Sequence, residues 1–353
     1  MIDDDVHPSN TISPDMIVCS SSSDTTFDTK PLFKKKKPTK CISNTTNFAK
    51  FFHAVASDQV RKAHGILLSF PVRQLASQQD PSTGENALHV AARLGLKKMC
   101  GFLITEAQLD PFSENALGHN ALHLAVLHQH LGVVRTVLKR CEDDSNRLAL
   151  IQARSKSGRS AIALCCAQPP SSIIYQIYSL LASYDTDVFY SHTDNTSLKM
   201  TPLHYASQMG HVDIVKHQLR TARRFSIEPL SFLTLNNQNA LHLAATCDNQ
   251  RLSALITTML LTFTSGEQLS TILRKDCNME SPAFIAAQNG NVQMLEKLVS
   301  RFGEEKVLYS ENALGEKLQQ MSDQKVEEQF FSSSLTKSSS TTSSLSKSSS
   351  TTS

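Results

Sequence analysis

The sequence predicts an all-α solenoid, in which helix-turn-helix units with short turn tips stack so that each buries its apolar face on its neighbours. Three observations predict it. A seven-residue string recurs along the chain, each copy opens with a residue suited to cap a helix, and each is followed by a segment with a helical apolar stripe.

The string Asn86-Ala87-Leu88-His89-Val90-Ala91-Ala92 returns from Asn120, Thr201 and Asn239 as NALHLAV, TPLHYAS and NALHLAA. Degenerate copies start at Ser160 (SAIALCC) and Ser281 (SPAFIAA). Positions equivalent to Leu88 fall at 88, 122, 162, 203, 241 and 283, giving spacings of 34, 40, 41, 38 and 42. The leading Asn, Thr or Ser can accept a hydrogen bond from an orphan N–H of a starting helix. Ala or Pro follows at the first helical position, where Pro sacrifices no bond. Helices are therefore predicted to start near 87, 121, 161, 202, 240 and 282. Small residues such as Ala91-Ala92 then admit a close neighbour. A turn near Gly95, Gln129, Gly210, Asp248 or Gly290 leads into a second helix. Its apolar stripe is, for example, Val212, Ile214, Val215 and Leu219, or Val292, Leu295, Leu298 and Val299.

These residues resemble the ankyrin repeat, whose signature runs T-P-L-H-x-A-A-x-x-G-H; Thr201 to His211 reads TPLHYASQMGH. The resemblance covers residues 48–303. Family repeats run 33 residues, and the excess here falls in Glu142–Ser157 and Ser265–Asp276. Leu148, Leu150 and Ile151, and likewise Leu269, Ile272 and Leu273, predict a short extra helix in each insertion. The third copy has Ala163 in place of the His and Pro169-Pro170 at its turn, which predicts a local irregularity. Residues 48–68 read as a helix pair without the turn motif, an N-terminal cap.

Four zones follow from composition. Residues 1–46 are rich in Ser, Thr, Asp and Lys and are expected to be disordered. Residues 47–303 form the repeat domain of a cap and about six repeats. Residues 304–331 are expected to cap it with a helix. Residues 332–353 form a disordered Ser/Thr-rich tail, where SSLTKSSSTT (333–342) is followed by SSLSKSSSTT. The 353 residues are 40% hydrophobic and 19% charged with a net charge of +3, so no global field points to nucleic acid or membrane. The charge is uneven: residues 1–28 hold six acids and no Lys or Arg, and residues 30–40 hold six lysines and no acid. No apolar run reaches the ~20 residues of a membrane span, and Met1-Ile2-Asp3-Asp4-Asp5 lacks the order of a signal peptide. The eight Cys show no CxxC pair and read as reduced thiols of a cytosolic setting, which leaves the sequons at Asn44 and Asn195 without weight.

Nothing in the chain assembles a catalytic set, and the reading is of no enzyme, no cofactor and no metal. The resemblance implies that the His of each LH pair is structural, bonding neighbouring turns. His123, His128 and His130 lack HExxH spacing and a fourth ligand. Cys165-Cys166 occupy the Ala-Ala slot. Lys34, Lys35, Lys36 and Lys37 resemble a nuclear import signal. Glu327 and Glu328, ahead of Phe330-Phe331 and the small-polar end, resemble the C-terminal export signals of type IVB effectors of intracellular bacteria. That resemblance implies secretion into a host cell's cytoplasm, with the nucleus as a further destination; the alternative is an endogenous eukaryotic adaptor of the cytosol or nucleus.

In ankyrin solenoids the turn tips and the inner-helix ends line a concave binding surface. Carried over copy by copy, the resemblance implies partner-binding positions before each helix start at Glu85, His119, Arg159, Met200, Gln238 and Glu280. After the small pair it implies Arg93, Leu94, Leu127, His128, Gln208, Met209, Thr246, Cys247, Gln288 and Asn289. The set is mixed in charge, with Leu127 and Met209 expected as apolar anchors in neighbouring repeats. The expected partner is therefore a protein held by apolar contact with a polar rim, on a monomeric chain that binds no nucleic acid and spans no membrane.

Overall fold

The computed structural model describes residues 42–68, 78–141, 143–187, 192–194, 196, 198–263, 274–303 and 307. Those from Ser43 onward belong to one compact unit. The arm up to residue 41, the 265–273 stretch of the second insertion, Glu327, Glu328 and the Ser/Thr-rich tail lie outside the described residues. Of residues 304–331, Val307 is described; it is helical and buried.

The described residues form fifteen α-helices, one 3-10 turn and no strand. Helices α1 (Ile42–Ala56) and α2 (Val60–Leu68) form the leading pair, and α1 begins before the expected boundary at residue 47. Six inner helices follow: α3 (Ala87–Arg93), α5 (Ala121–Leu127), α8 (Ala161–Cys166), α10 (Pro202–Met209), α12 (Ala240–Ala245) and α14 (Pro282–Gln288). Each begins at the residue the capping pattern indicates. The six outer helices are α4 (Lys97–Thr105), α6 (Leu131–Arg140), α9 (Ser172–Tyr184), α11 (Val212–Arg224), α13 (Gln250–Phe263) and α15 (Val292–Phe302). The first insertion carries the extra helix α7 (Asp144–Gln152), which packs on α8 and α9.

Inner helices stack on inner helices and outer on outer, and each pair packs on itself. One continuous core results. Ala91, Ala92, Ala125, Ala206, Ala244 and Ala286 are all fully buried at the inner-helix contacts. Leu203 is 1% exposed within this core. Leu203→Ala is expected to lower the unfolding free energy by about 2–5 kcal/mol, read from the shift in urea midpoint at constant slope. An unchanged midpoint would place this side chain outside the core.

The caps explain why helices as short as α12 hold. Asn86 Oδ1 accepts the His89 N–H at 3.0 Å, and the His89 Nδ1 accepts the Asn86 N–H at 3.1 Å. Asn120 with His123, Thr201 with His204, and Asn239 with His242 repeat this reciprocal box, with imidazole where Glu usually stands. The Nε2–H is then free to donate across to the next tip: His89 to the Ser113 carbonyl (2.9 Å) and His123 to that of Ala153 (3.1 Å). His204 lies by the backbone of Phe232 and His242 by that of Glu280 and Arg274, but the Nε2 atoms of both are buried without a partner in full hydrogen-bond geometry. This arrangement needs neutral rings. Burial pushes His123, His204 and His242 down to about 4 and lowers His89 as well.

Ahead of each cap the chain makes a tight tip, and consecutive tips are bonded to each other, as in Ala116 N–H to Thr83 O and Lys156 N–H to Leu117 O, both 3.0 Å. Gly118 sits in such a tip at φ +72°, where a Cβ would stand 2.6 Å from the Lys156 nitrogen. Both conformation and space demand glycine there.

The third repeat is irregular, as its sequence indicates. The turn from α8 to α9 is lengthened around Pro169-Pro170. Ala163 leaves the Ser160 cap without its histidine; Ser160 Oγ still accepts the Ala163 N–H, and its hydroxyl donates to His192 of the following connection.

Candidate functional site

The sixteen positions carried over as a binding face divide into three groups. The first is buried. Met200 is 4% exposed and Cys247 7%, so neither lies on the surface assigned to it. Met200 is drawn in by its N–H bond to Asp194 Oδ1 at 2.8 Å. Cys247 fills the space over Gly210, where a Cβ would lie 3.1 Å from its sulfur. Glu85 is likewise covered, against Arg93.

The second group is already engaged within the chain, by polar bonds or by ring contacts. Arg93 Nη2 pairs with Glu85 Oε2 at 3.2 Å. Arg159 Nε donates to Tyr205 Oη at 3.0 Å, its guanidinium 5.0 Å from the ring centre. Gln238 Nε2 donates to Asp276 Oδ2 at 3.0 Å, and Gln288 Nε2 to Glu280 Oε1 at 2.7 Å. Asn289 Nδ2 donates to the Ala245 carbonyl and Thr246 Oγ1 to that of Leu243. His119 packs on His123, and His128 stacks on His130 with ring centres 6.2 Å apart. The two bases and two acids of the set are thus each engaged within the face.

The third group is what remains for a partner: Leu94, 42% exposed, and the half-buried Leu127, Gln208 and Met209. Leu94 and Leu127 stand on consecutive repeats, but Leu127 and Met209 are not the neighbours expected, because the repeat of Ala161–Cys166 lies between them.

Three observations concern chemistry. His192 Nε2–H donates to Asp185 Oδ2 at 2.9 Å, which leaves its Nδ1 to accept from Ser160 Oγ at 2.7 Å. The atom order is that of a nucleophilic triad. Ser160 is fully buried, however, and its oxygen accepts the Ala163 N–H as the cap of α8, so no substrate carbonyl can reach it. Burial opposes ionisation of Asp185, but the hydrogen bonds from His192 and Gln152 outweigh it and hold this carboxyl below its ordinary value. Cys100, Cys141, Cys165, Cys166 and Cys247 are buried, and burial raises each thiol, Cys100 to about 12, which disfavours the nucleophilic thiolate. No group of three His, Cys, Asp or Glu among the described residues is arranged to hold a metal ion. No helix among them is long and apolar enough to cross a membrane.

A family model described as ankyrin repeats (three copies) matches residues 52–149, and a single ankyrin-repeat model matches 199–219. The fold is an ankyrin-repeat solenoid. Among solved structures, the ankyrin-repeat domain of Bcl-3, a unique member of the IkappaB protein family, is similar with a TM-score of 0.53 at 19% sequence identity. The match covers 70% of this chain and 96% of that one. No curated protein sequence matches. Ankyrin repeats form a scaffold for protein–protein interaction, generally without enzymatic activity.

The sequence reading missed two features of this ankyrin fold. The Ser160–His192–Asp185 chain had one visible signal, the Ala163 substitution. The commitment of Arg159 to Tyr205 had none, because these residues lie 46 positions apart.

Proposed function

We propose that the protein is a non-catalytic module that holds a partner protein against the inner-helix face of its ankyrin repeats. One observation carries the reading. The charged groups of that face and all its amides but Gln208 are already bonded within the chain, so the surface left to a partner is largely apolar, at Leu94, Leu127 and Met209. A partner seated there by apolar contact with a polar rim is bound with little dependence on salt. Leu127→Asp combined with Met209→Asp is expected to abolish capture of the partner from host-cell lysate while leaving the melting temperature within a few degrees of the parent. Undiminished capture would move the site off this face.

The finer reading is that the chain is an effector which an intracellular bacterium exports into a host cell. It rests on Glu327-Glu328 ahead of the Ser/Thr-rich end, with Lys34, Lys35, Lys36 and Lys37 available to carry the protein on to the nucleus. Glu327→Lys with Glu328→Lys, or removal of residues 332–353, is then expected to block delivery of a reporter fusion into host cells while partner binding in vitro is retained. Normal delivery of both variants favours the endogenous eukaryotic adaptor instead.

A further inference from the structure

The outer helices differ in charge from the face just described. Helices α4, α6, α9, α11, α13 and α15 carry twelve Lys and Arg, all exposed, against two acids, Asp213 and Glu296. Five of the twelve converge on one groove between α4 and α6: Lys97, Lys98, Arg135, Lys139 and Arg140. Among the described residues none of the five is in an ion pair. The groove encloses about 830 Å³ over a floor of Gly101, Phe102, Thr105 and Thr136, with Glu106 as its one acid.

Gly101 opens this groove. It lies mid-helix, where glycine costs about 1 kcal/mol relative to alanine. A Cβ there would make only ordinary contacts, 3.6 Å to Thr136 and 3.9 Å to Arg140. The missing side chain is therefore space rather than a steric necessity. Thr105 and Thr136 turn their hydroxyl hydrogens back to the carbonyls of Gly101 and Gly132, both at 2.9 Å. The walls thus offer positive charge and little directional donor chemistry. Like charges lining a concavity with low-dielectric walls focus a positive potential into it.

We propose that this groove is a second docking site, which takes a short, extended, acidic segment of a partner protein. Helices of nine and ten residues give a trough about 15 Å long. That length holds about four or five residues of extended chain. A trough of this length suits a short stretch of extended chain, whereas a flat bilayer meets only its rims and a duplex spans well beyond its ends. Recognition by charge with few directed bonds makes the site selective for acidity rather than for one sequence.

The test uses the full-length chain and a fluorescein-labelled hexaglutamate peptide, followed by anisotropy. Saturable binding is expected at low salt, weakened at least tenfold at physiological ionic strength. Arg135→Glu with Lys139→Glu is expected to remove it. Gly101→Gln, which fills the groove and leaves its charge intact, is expected to weaken it at least tenfold. The Leu127→Asp and Met209→Asp changes should leave it untouched, which separates this site from the inner face. Absence of peptide binding overturns the proposal, and so does binding indifferent to Gly101→Gln. Tighter binding of phosphatidylserine vesicles or of duplex DNA than of the peptide overturns the choice of partner.

Discussion

Lowering the pH from about 6.5 to about 4 is expected to strip several kcal/mol from the stability of the repeat domain. His123, His204 and His242 are held near 4 by burial, whereas in the unfolded chain they titrate near 6.5. Between those values the unfolded state takes up protons that the folded state refuses. The stabilisation is complete above the unfolded value and is lost as the pH falls toward 4, at about 1.4 kcal/mol per pH unit for each ring. Three rings acting together consume much of the roughly 5–15 kcal/mol that a domain possesses. Urea midpoints measured at pH 7.5, 6.0 and 5.0 check this. Replacing one of the three by Gln should flatten the slope, by less than a third because burial lowers His89, His119, His211 and His217 as well, whatever it does to the midpoint. A stability that stays level from pH 7 to pH 5 would mean that the rings take up protons as readily in the folded chain as in the unfolded one, and that the capping boxes do not hold them neutral.

Removing His192 is expected to be costly for a different reason. His192→Ala takes away the donor that serves the Asp185 carboxylate and the acceptor that orients the Ser160 hydroxyl, both in buried surroundings. Breaking one side of a buried pair costs 3–5 kcal/mol, and the low end, about 3 kcal/mol, is expected here. Gln152 Nε2 and the Asp187 N–H still reach the carboxylate at 2.8 and 2.9 Å. In an Asp185→Asn background the same replacement should cost much less, because no charge is left stranded. Equal losses in both backgrounds, read from urea titrations, would show that the ring acts by packing alone.

These two cases show what the sequence could and could not tell. The six inner-helix starts were legible because capping is local: Asn, Thr or Ser followed by Ala or Pro states where a helix begins without reference to anything distant. The structural role of His89, His123, His204 and His242 was legible only through the family resemblance, since the carbonyls they meet lie in the next repeat. Ala163 announced a gap, but not the bond from Ser160 to His192, because that pairing depends on the path of the intervening connection. The binding face was half legible. Position along the repeat placed Leu94 and Met209 on the surface, but it also placed Met200 and Cys247 there, and only the packing of the neighbouring repeat reveals that they are covered. The basic groove needed both the sequence of two outer helices and the knowledge that they lie side by side.

The borrowed histidine also sets an order of events. In the first, second, fourth and fifth repeats, the residue that closes the capping box lies within the helix it caps. In the third, Ser160 caps α8 without such a box, and its hydroxyl donates to His192 in the connection to the fourth. Unzipping that runs inward from the C-terminal end can pause at any other boundary with the remaining helices still capped. At this boundary a pause is costly, since loosening the connection strips the buried Ser160 hydroxyl, which caps α8, of its His192 acceptor. The third and fourth repeats are therefore bound into one cooperative block, whose amide protons exchange together rather than repeat by repeat.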